Sequence, residues 1–215
     1  MHLTRAESSK KLQIPRKGSK YVARPFSHLK DSVTIVAAVR DLLNLAKTAS
    51  EVQKMIWEGK IKVNGRKVKD YRDTIQIFNT LEAGKLFSLS ILPTHKFYFK
   101  EISEKDSKSR LCKVTNKRLV KSGVAQLNLH DGTNVLIKSK SEADQIKNGD
   151  SVYLSLEGKI VKHTSVSPGR EIFVFLGSNA GKKGKIIQLD GENASIKLED
   201  RDEPVSLPIG GFVVI

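Results

Sequence analysis

The chain has 215 residues, with 38 Lys and Arg against 23 Asp and Glu, a formal net charge of +15. That length fits one large domain or two to three small ones, and a cationic surplus of this size points to a polyanionic partner, nucleic acid ahead of a membrane surface. The single cysteine, Cys112, excludes a disulfide framework or a Cys-based zinc site within one chain, and no apolar run approaches the ~20 residues that span a bilayer.

Residues 1–30 read as a tail. Arg5, Lys10, Lys11, Arg16, Lys17, Lys20 and Arg24 face one acid, Glu7, and Pro15, Gly18 and Pro25 discourage regular structure. Such a segment buries too little apolar area to order itself alone. Tyr21 and Phe26 among the cations suit an arm that orders on RNA, where aromatics stack on bases. The segment is basic but has no continuous apolar core, so no secretory signal is expected and the cytoplasm is the expected compartment.

Two helices are expected next. Ser32 is placed to cap the first, whose apolar face would be Ile35, Val36, Val39, Leu42, Leu43 and Ala46. Thr48 with Glu51, or Ser50 with Gln53, offers a capping box for the second. Val52, Met55 and Ile56 form its stripe, and Gly59 stops it. Then Ile61 and Val63 alternate with Lys60 and Lys62, giving one core face and one basic face. Asn64-Gly65 signals a type I′ hairpin turn, because both central residues need positive φ. Gly59 to Lys69 thus carries five cations, Lys60, Lys62, Arg66, Lys67 and Lys69, on one stiff element.

From about residue 90 onward the chain reads as β throughout. Candidate strands are Lys96–Lys100, Ala125–His130, Val135–Lys138, Val152–Leu156 and Ile160–Lys162, with Asp131-Gly132, Asn148-Gly149-Asp150 and Glu157-Gly158 as turns. A small barrel in the middle of the chain and a second from Arg170 to Ile215 are the expected result. The second holds VFLGSNAGKKGKIIQL, Val174 to Leu189, which has the look of a phosphate-binding loop. Gly177 and Gly181 are three residues apart where that motif needs four, and Lys183 has no hydroxyl for a metal. Two short apolar runs around a turn follow, not a helix, so the loop is expected to join strand to strand.

No catalytic constellation emerges. His2, His28, His95, His130 and His163 stand far apart without metal-ligand spacing. Cys112 reads as a structural thiol. Asp70 and Asp73 could form an acid–base pair, but beside Lys69 and Arg72 they better balance local charge. The run Glu199-Asp200-Arg201-Asp202-Glu203 reads as a solvated turn.

Val39–Lys47 followed by Gly59–Arg66, a helix, a capped helix, a glycine stop and a basic Val63-Asn64-Gly65 hairpin, resembles the α-L RNA-binding domain. That module occurs in bacterial small-subunit ribosomal protein four, in some pseudouridine synthases and in tyrosyl-tRNA synthetases. Gly181, Lys182, Gly184 and the alternating strand after them resemble a KOW motif, a small β-barrel that presents loops to RNA. The arm Ile14–Pro25, then the α-L module, a central β-domain and a KOW segment are together similar to the e-type small-subunit ribosomal protein four family of archaea and eukaryotes, over essentially the whole chain.

This resemblance implies an α+β multidomain fold: a basic extended N-terminal arm (1–30), a small α-L helix-helix-hairpin domain (31–92), a central small β-barrel-like domain (93–169) and a C-terminal SH3-like KOW β-barrel (170–215). It implies a non-enzymatic constituent of the small ribosomal subunit, one copy per ribosome, binding small-subunit rRNA beside neighbouring ribosomal proteins, with no cofactor, metal, membrane or small-molecule substrate. Affinity would come mainly from cations neutralising phosphates. The expected contacts are the seven arm cations, then Arg40, Lys47, Lys54, Lys60, Lys62, Asn64, Arg66 and Lys67, and in the C-terminal loop Ser178, Asn179, Gly181, Lys182, Lys183, Gly184 and Lys185. Gly181 and Gly184 would let the backbone N–H groups reach phosphate. Two rivals use the same modules: an RNA-modifying enzyme and a transient translation or transcription factor.

Overall fold

The computed structural model of the chain describes residues 3–15, 17–120, 123–201 and 203–215; His2, Arg16 and Asp202, named above, lie outside the described residues. The chain divides into two units, Met1–Ser107 and Lys108–Ile215. No helix among the described residues is long and apolar enough to cross a membrane.

In the first unit, β1 (Leu3–Thr4) pairs antiparallel with β2 (Tyr21–Val22), which closes the expected arm into a loop. Gln13 Nε2 donates to the Phe97 carbonyl, and Phe97 N–H donates to the Lys11 carbonyl. The segment is therefore tied to the rest of the unit by backbone and side-chain hydrogen bonds, a correction to the extended arm. Its own charge is partly spent on this, since Lys11 pairs with Asp31.

The first helix also departs from expectation. Val33, Thr34, Ile35 and Val36 are four successive β-branched residues, a composition that favours a pleated strand. Ser32–Thr34 forms β3, paired with β6 (Thr74–Gln76), and Ser32 donates to the Ser27 and His28 carbonyls in place of capping a helix. Ile35 and Val36 N–H continue this tie to Asp73 and Tyr71. Only a short π-helical segment, Ala37–Leu42, follows, with Leu43 N–H reaching back to Ala38. The second helix, α1 (Ala49–Trp57), is as expected. Its N-cap Thr48 accepts from Glu51 N–H while Glu51 reaches back, so the Thr48 box is the one used. Gly59 ends it at φ +70°.

A five-stranded antiparallel sheet completes the unit, in the order β5 (Arg66–Lys67), β4 (Ile61–Val63), β7 (Thr80–Ala83), β8 (Lys85–Ile91), β9 (Phe97–Glu101). Phe97–Glu101, expected within the central β-domain, instead extends this sheet through five register pairs with β8. Val52 and Ile56 of α1 are buried, as are Ile61, Leu81, Leu89 and Phe97 of the sheet. A short helix α2 (Glu104–Ser107) ends the unit.

The second unit holds two five-stranded antiparallel sheets. The first runs β12 (Asn134–Ile137), β11 (Ala125–Leu129), β10 (Ser109–Leu119), β13 (Ser151–Ser155), β14 (Ile160–Thr164). Strand β10 bridges the whole sheet, and its register shifts at Val114/Asn116 let it turn from one partner to the other. Helix α3 (Lys140–Gln145), capped by Ser139, interrupts what was expected to be β throughout. The second sheet runs β18 (Val205–Pro208), β17 (Asn193–Leu198), β16 (Lys183–Asp190), β15 (Glu171–Val174), β19 (Phe212–Val214). Each sheet has its own apolar core. Polar groups join them: Val214 N–H donates to Ser151 Oγ at 2.8 Å, and the buried Lys113 ammonium donates to the Ile209 and Phe212 carbonyls.

Candidate nucleic-acid interface

The basic hairpin is built as the sequence dictates. Asn64 and Gly65 have φ of +51° and +78°, the pair of positive values a type I′ turn demands. Asn64 Oδ1 accepts from Thr80 N–H at 2.9 Å, so this end of its amide braces β4 against β7. Register sets which cations share a face, because directly opposed residues lie side by side. Lys62 stands opposite both Lys67 and Glu82, and Arg66 opposite Val63. Lys62 Nζ lies 2.9 Å from Glu82, and Lys60 Nζ 2.6 Å from Glu58. Arg66 and Lys67 are exposed and have no ion-pair partner among the described residues. The Lys67 ammonium reaches toward the helix end, 3.6 Å from where a Cβ on Gly59 would stand. Lys47 and Lys54 are exposed. Arg40 forks onto Asp41 at 2.7 and 2.9 Å, and that hydrogen bond, ahead of the opposing effect of burial, raises its pKa.

Gly177–Lys182 joins β15 to β16, strand to strand. Its glycines serve the protein's own backbone. Gly181, at φ +90°, gives its N–H to the Val174 carbonyl at 2.7 Å. Gly184 pairs with Ile172 on one side and Leu198 on the other. A Cβ there would stand 2.5 Å from the Lys197 carbonyl oxygen, so the position requires glycine for sheet packing. Neither glycine offers the phosphate-binding N–H expected of it. Asn179 is buried, Ser178 exposed. Lys182 is mostly covered and 3.4 Å from Asp200; Lys185 is 3.6 Å from Glu171. Lys183 is exposed. Beside Gly184 lies an open cleft of about 300 Å³ lined by Lys183, Lys185, Lys197 and Arg201 with Glu171 and Glu199. Sequence reading missed Lys197 and Arg201; the register that sets Lys197 opposite Lys185 was the signal.

In the N-terminal loop, Arg5 points inward, donating through Nε to the Ser19 carbonyl at 2.9 Å and also bonding the Pro15 carbonyl. It staples the loop. Lys10, Lys17 and Lys20 are exposed, Lys20 lying over the Tyr21 ring at 5.5 Å, and Arg24 is half-buried. A group missed by sequence reading is Arg72, which sits 4.6 Å over the exposed Phe26 ring.

The rival acid–base pair dissolves on inspection. Arg72 grips Asp70 through two nitrogens at 3.1 and 3.0 Å, and this bond first of all lowers the Asp70 pKa. Asp73 accepts from the N–H groups of Lys69 and Asp70. Both carboxylates shape a turn. Cys112 is fully buried, and burial, then Asp131, pushes its thiol up to about 12, the opposite of a reactive cysteine. No cluster of His, Cys, Asp and Glu among the described residues could hold a metal.

Comparison with known proteins gives the family. Residues 42–79 match the S4 domain model and residues 83–161 the model of ribosomal family S4e. Small ribosomal subunit protein eS4 of Methanococcus aeolicus is 35% identical over 200 residues, covering 88% of this chain and 81% of the relative. The protein of the same name from Archaeoglobus fulgidus is 34% identical over 212 residues, covering 94% and 88%. The crystal structure of the 30S ribosomal protein S4e from Thermoplasma acidophilum superposes with a TM-score of 0.72 at 22% identity, covering 86% of this chain and 95% of that one, which shows a shared fold. The chain belongs to the ribosomal S4e family.

Proposed function

We propose that this protein is a non-enzymatic constituent of the small ribosomal subunit that binds and holds folded small-subunit rRNA. The observation that carries the reading is membership of the S4e family across most of the chain, with α1 and a rigid basic hairpin at the S4 match. Phosphate contacts position such a protein, and the shape of the folded RNA supplies the specificity. Arg66, Lys67, Lys47, Lys54 and the exposed cations of the N-terminal loop are the principal contacts. The C-terminal segment 170–215 acts as a KOW-type, SH3-like module, presenting Lys183 and the cleft cations Lys185, Lys197 and Arg201. The functional divisions are the N-terminal loop 1–30, the S4-type segment extended through β9 to Ser107, the central β-domain from Lys108 to about 169, and 170–215. One copy per cytoplasmic ribosome, in contact with neighbouring small-subunit proteins, completes the proposal.

The test is quantitative. Native lysate is run on a sucrose gradient, the small subunits are washed at high salt, and this chain is counted against a known small-subunit protein. Near-equal stoichiometry after the wash is the expected outcome. A trace amount that leaves with salt would mean a visiting factor and would overturn the reading.

A further inference from the structure

Helix α1 carries one side chain that its fold does not explain. Its buried stripe is Val52 and Ile56. Trp57, the only tryptophan in the chain, is 73% exposed at the last position of a helix whose other exposed residues are Ala49 and the polar Ser50, Glu51 and Lys54. A large aromatic left in water gains none of the burial that normally stabilises it. Other exposed aromatics are at least partly covered: Arg72 lies over Phe26 and Lys20 over Tyr21. Among the described residues no ring or cation contact involves Trp57. Most of the indole surface is thus open to solvent.

Two cations lie at this end of the helix. Lys54 lies one turn earlier on the same helix face, since residues three apart are neighbours there. Lys67 reaches the helix end beside Gly59, two residues beyond Trp57. Glu58, the nearest acid in sequence, is already paired with Lys60 at 2.6 Å. A free aromatic face bordered by cations matches a nucleotide in both its parts, a base that stacks and phosphates that pair with ammonium groups. A protein neighbour would more often meet an apolar surround, with charge kept to the rim.

We propose that Trp57 stacks on an unpaired base of the small-subunit rRNA, with Lys54 and Lys67 holding the flanking phosphates. The inference rests on the rRNA-binding reading above and assigns a base-contacting residue to it. Stacking of this kind adds affinity without adding a phosphate contact, so it leaves no trace in salt dependence.

Because Trp57 is the only tryptophan, its fluorescence reports this site alone. The probe is protein-free small-subunit rRNA added to the full chain, with binding followed in parallel by filter retention. Quenching of Trp57 that saturates together with retention, and a fall in its quenching by acrylamide, are expected. Trp57→Ala should weaken binding about ten-fold, Trp57→Phe less than about three-fold, and both should keep the wild-type salt slope and melting temperature. Retention with unchanged tryptophan emission and acrylamide access would overturn the stacking proposal while leaving rRNA binding intact. Trp57 that is open on naked rRNA but shielded in assembled subunits would also overturn it, assigning the side chain to a protein neighbour. Absence of specific retention by the wild-type chain would instead overturn the rRNA-binding reading itself.

Discussion

The basic hairpin of the first unit and strand β10 of the second use cations in opposite ways. In the first, Arg66 and Lys67 stand on a hairpin tip with no ion-pair partner among the described residues, and Lys60 and Lys62 are paired with surface carboxylates. In the second, Arg110 and Lys113 lie inside. Arg110 is 3.1 Å from Asp131, and their side chains are 7% and 1% exposed. Lys113 is 2% exposed and bonds two carbonyls of the neighbouring sheet. Surface pairs exchange readily for another anion because they are worth about 0–1 kcal/mol each. Buried charges cannot be given up without cost. The surplus of +15 is therefore not a measure of what faces RNA; part of it is scaffolding that holds the sheets of the second unit.

The largest effect expected from this contrast is on Arg110. Arg110→Ala leaves the Asp131 carboxylate buried without its partner, a loss of roughly 3–5 kcal/mol. Arg66→Ala, on the hairpin, should stay within about 0.5 kcal/mol. Denaturant unfolding of the two variants measures the difference directly. Equal stability would mean that the Arg110–Asp131 pair is not the scaffold described.

Lys113 gives a smaller effect with a defined pH window. Burial lowers its amine to about 8 from an ordinary 10.5, with Asp150 pulling the other way. Below pH 8 both folded and unfolded states carry the proton, and the penalty for burying it is constant. Between about 8 and 10.5 the unfolded chain binds more protons, so stability rises with pH. The gain attributable to Lys113 is about 3 kcal/mol. Lys113→Met should lose this rise, read as the difference between the two pH–stability curves. A wild-type curve parallel to that of the variant would show that the ammonium is not desolvated.

Much of the hairpin module was legible because its signals are local. A capping box, a glycine stop and Asn-Gly between alternating residues each specify their own geometry. The first helix was misread because the same apolar residues satisfy a helical period and a β-branched strand, and the pairing partner Thr74–Gln76 that decides between them lies some 40 residues on. The placement of Phe97–Glu101 depended likewise on β8. The role of Gly184 turned on a carbonyl of the adjacent strand. Which lysines are already paired is a matter of register, and register is a nonlocal property. Trp57 was visible as a residue, but only its exposure made it informative.

The smallest effect compares the two basic turns. Lys182 and Lys185 face Asp200 and Glu171, whereas Arg66 and Lys67 face none of the described carboxylates. Each phosphate contact that is lost should lower the magnitude of the salt slope by roughly 0.7–0.9. Arg66→Gln with Lys67→Gln should therefore lower it by about 1.5. Lys182→Gln with Lys185→Gln should lower it by less than half as much, because RNA must first displace carboxylates already in place, and Lys182 is largely covered. The measurement is the log–log dependence of rRNA affinity on potassium concentration for each pair. Equal slopes would mean that the carboxylates swing away at no cost, so that the strand register around the C-terminal loop does not decide which of its charge the RNA can use.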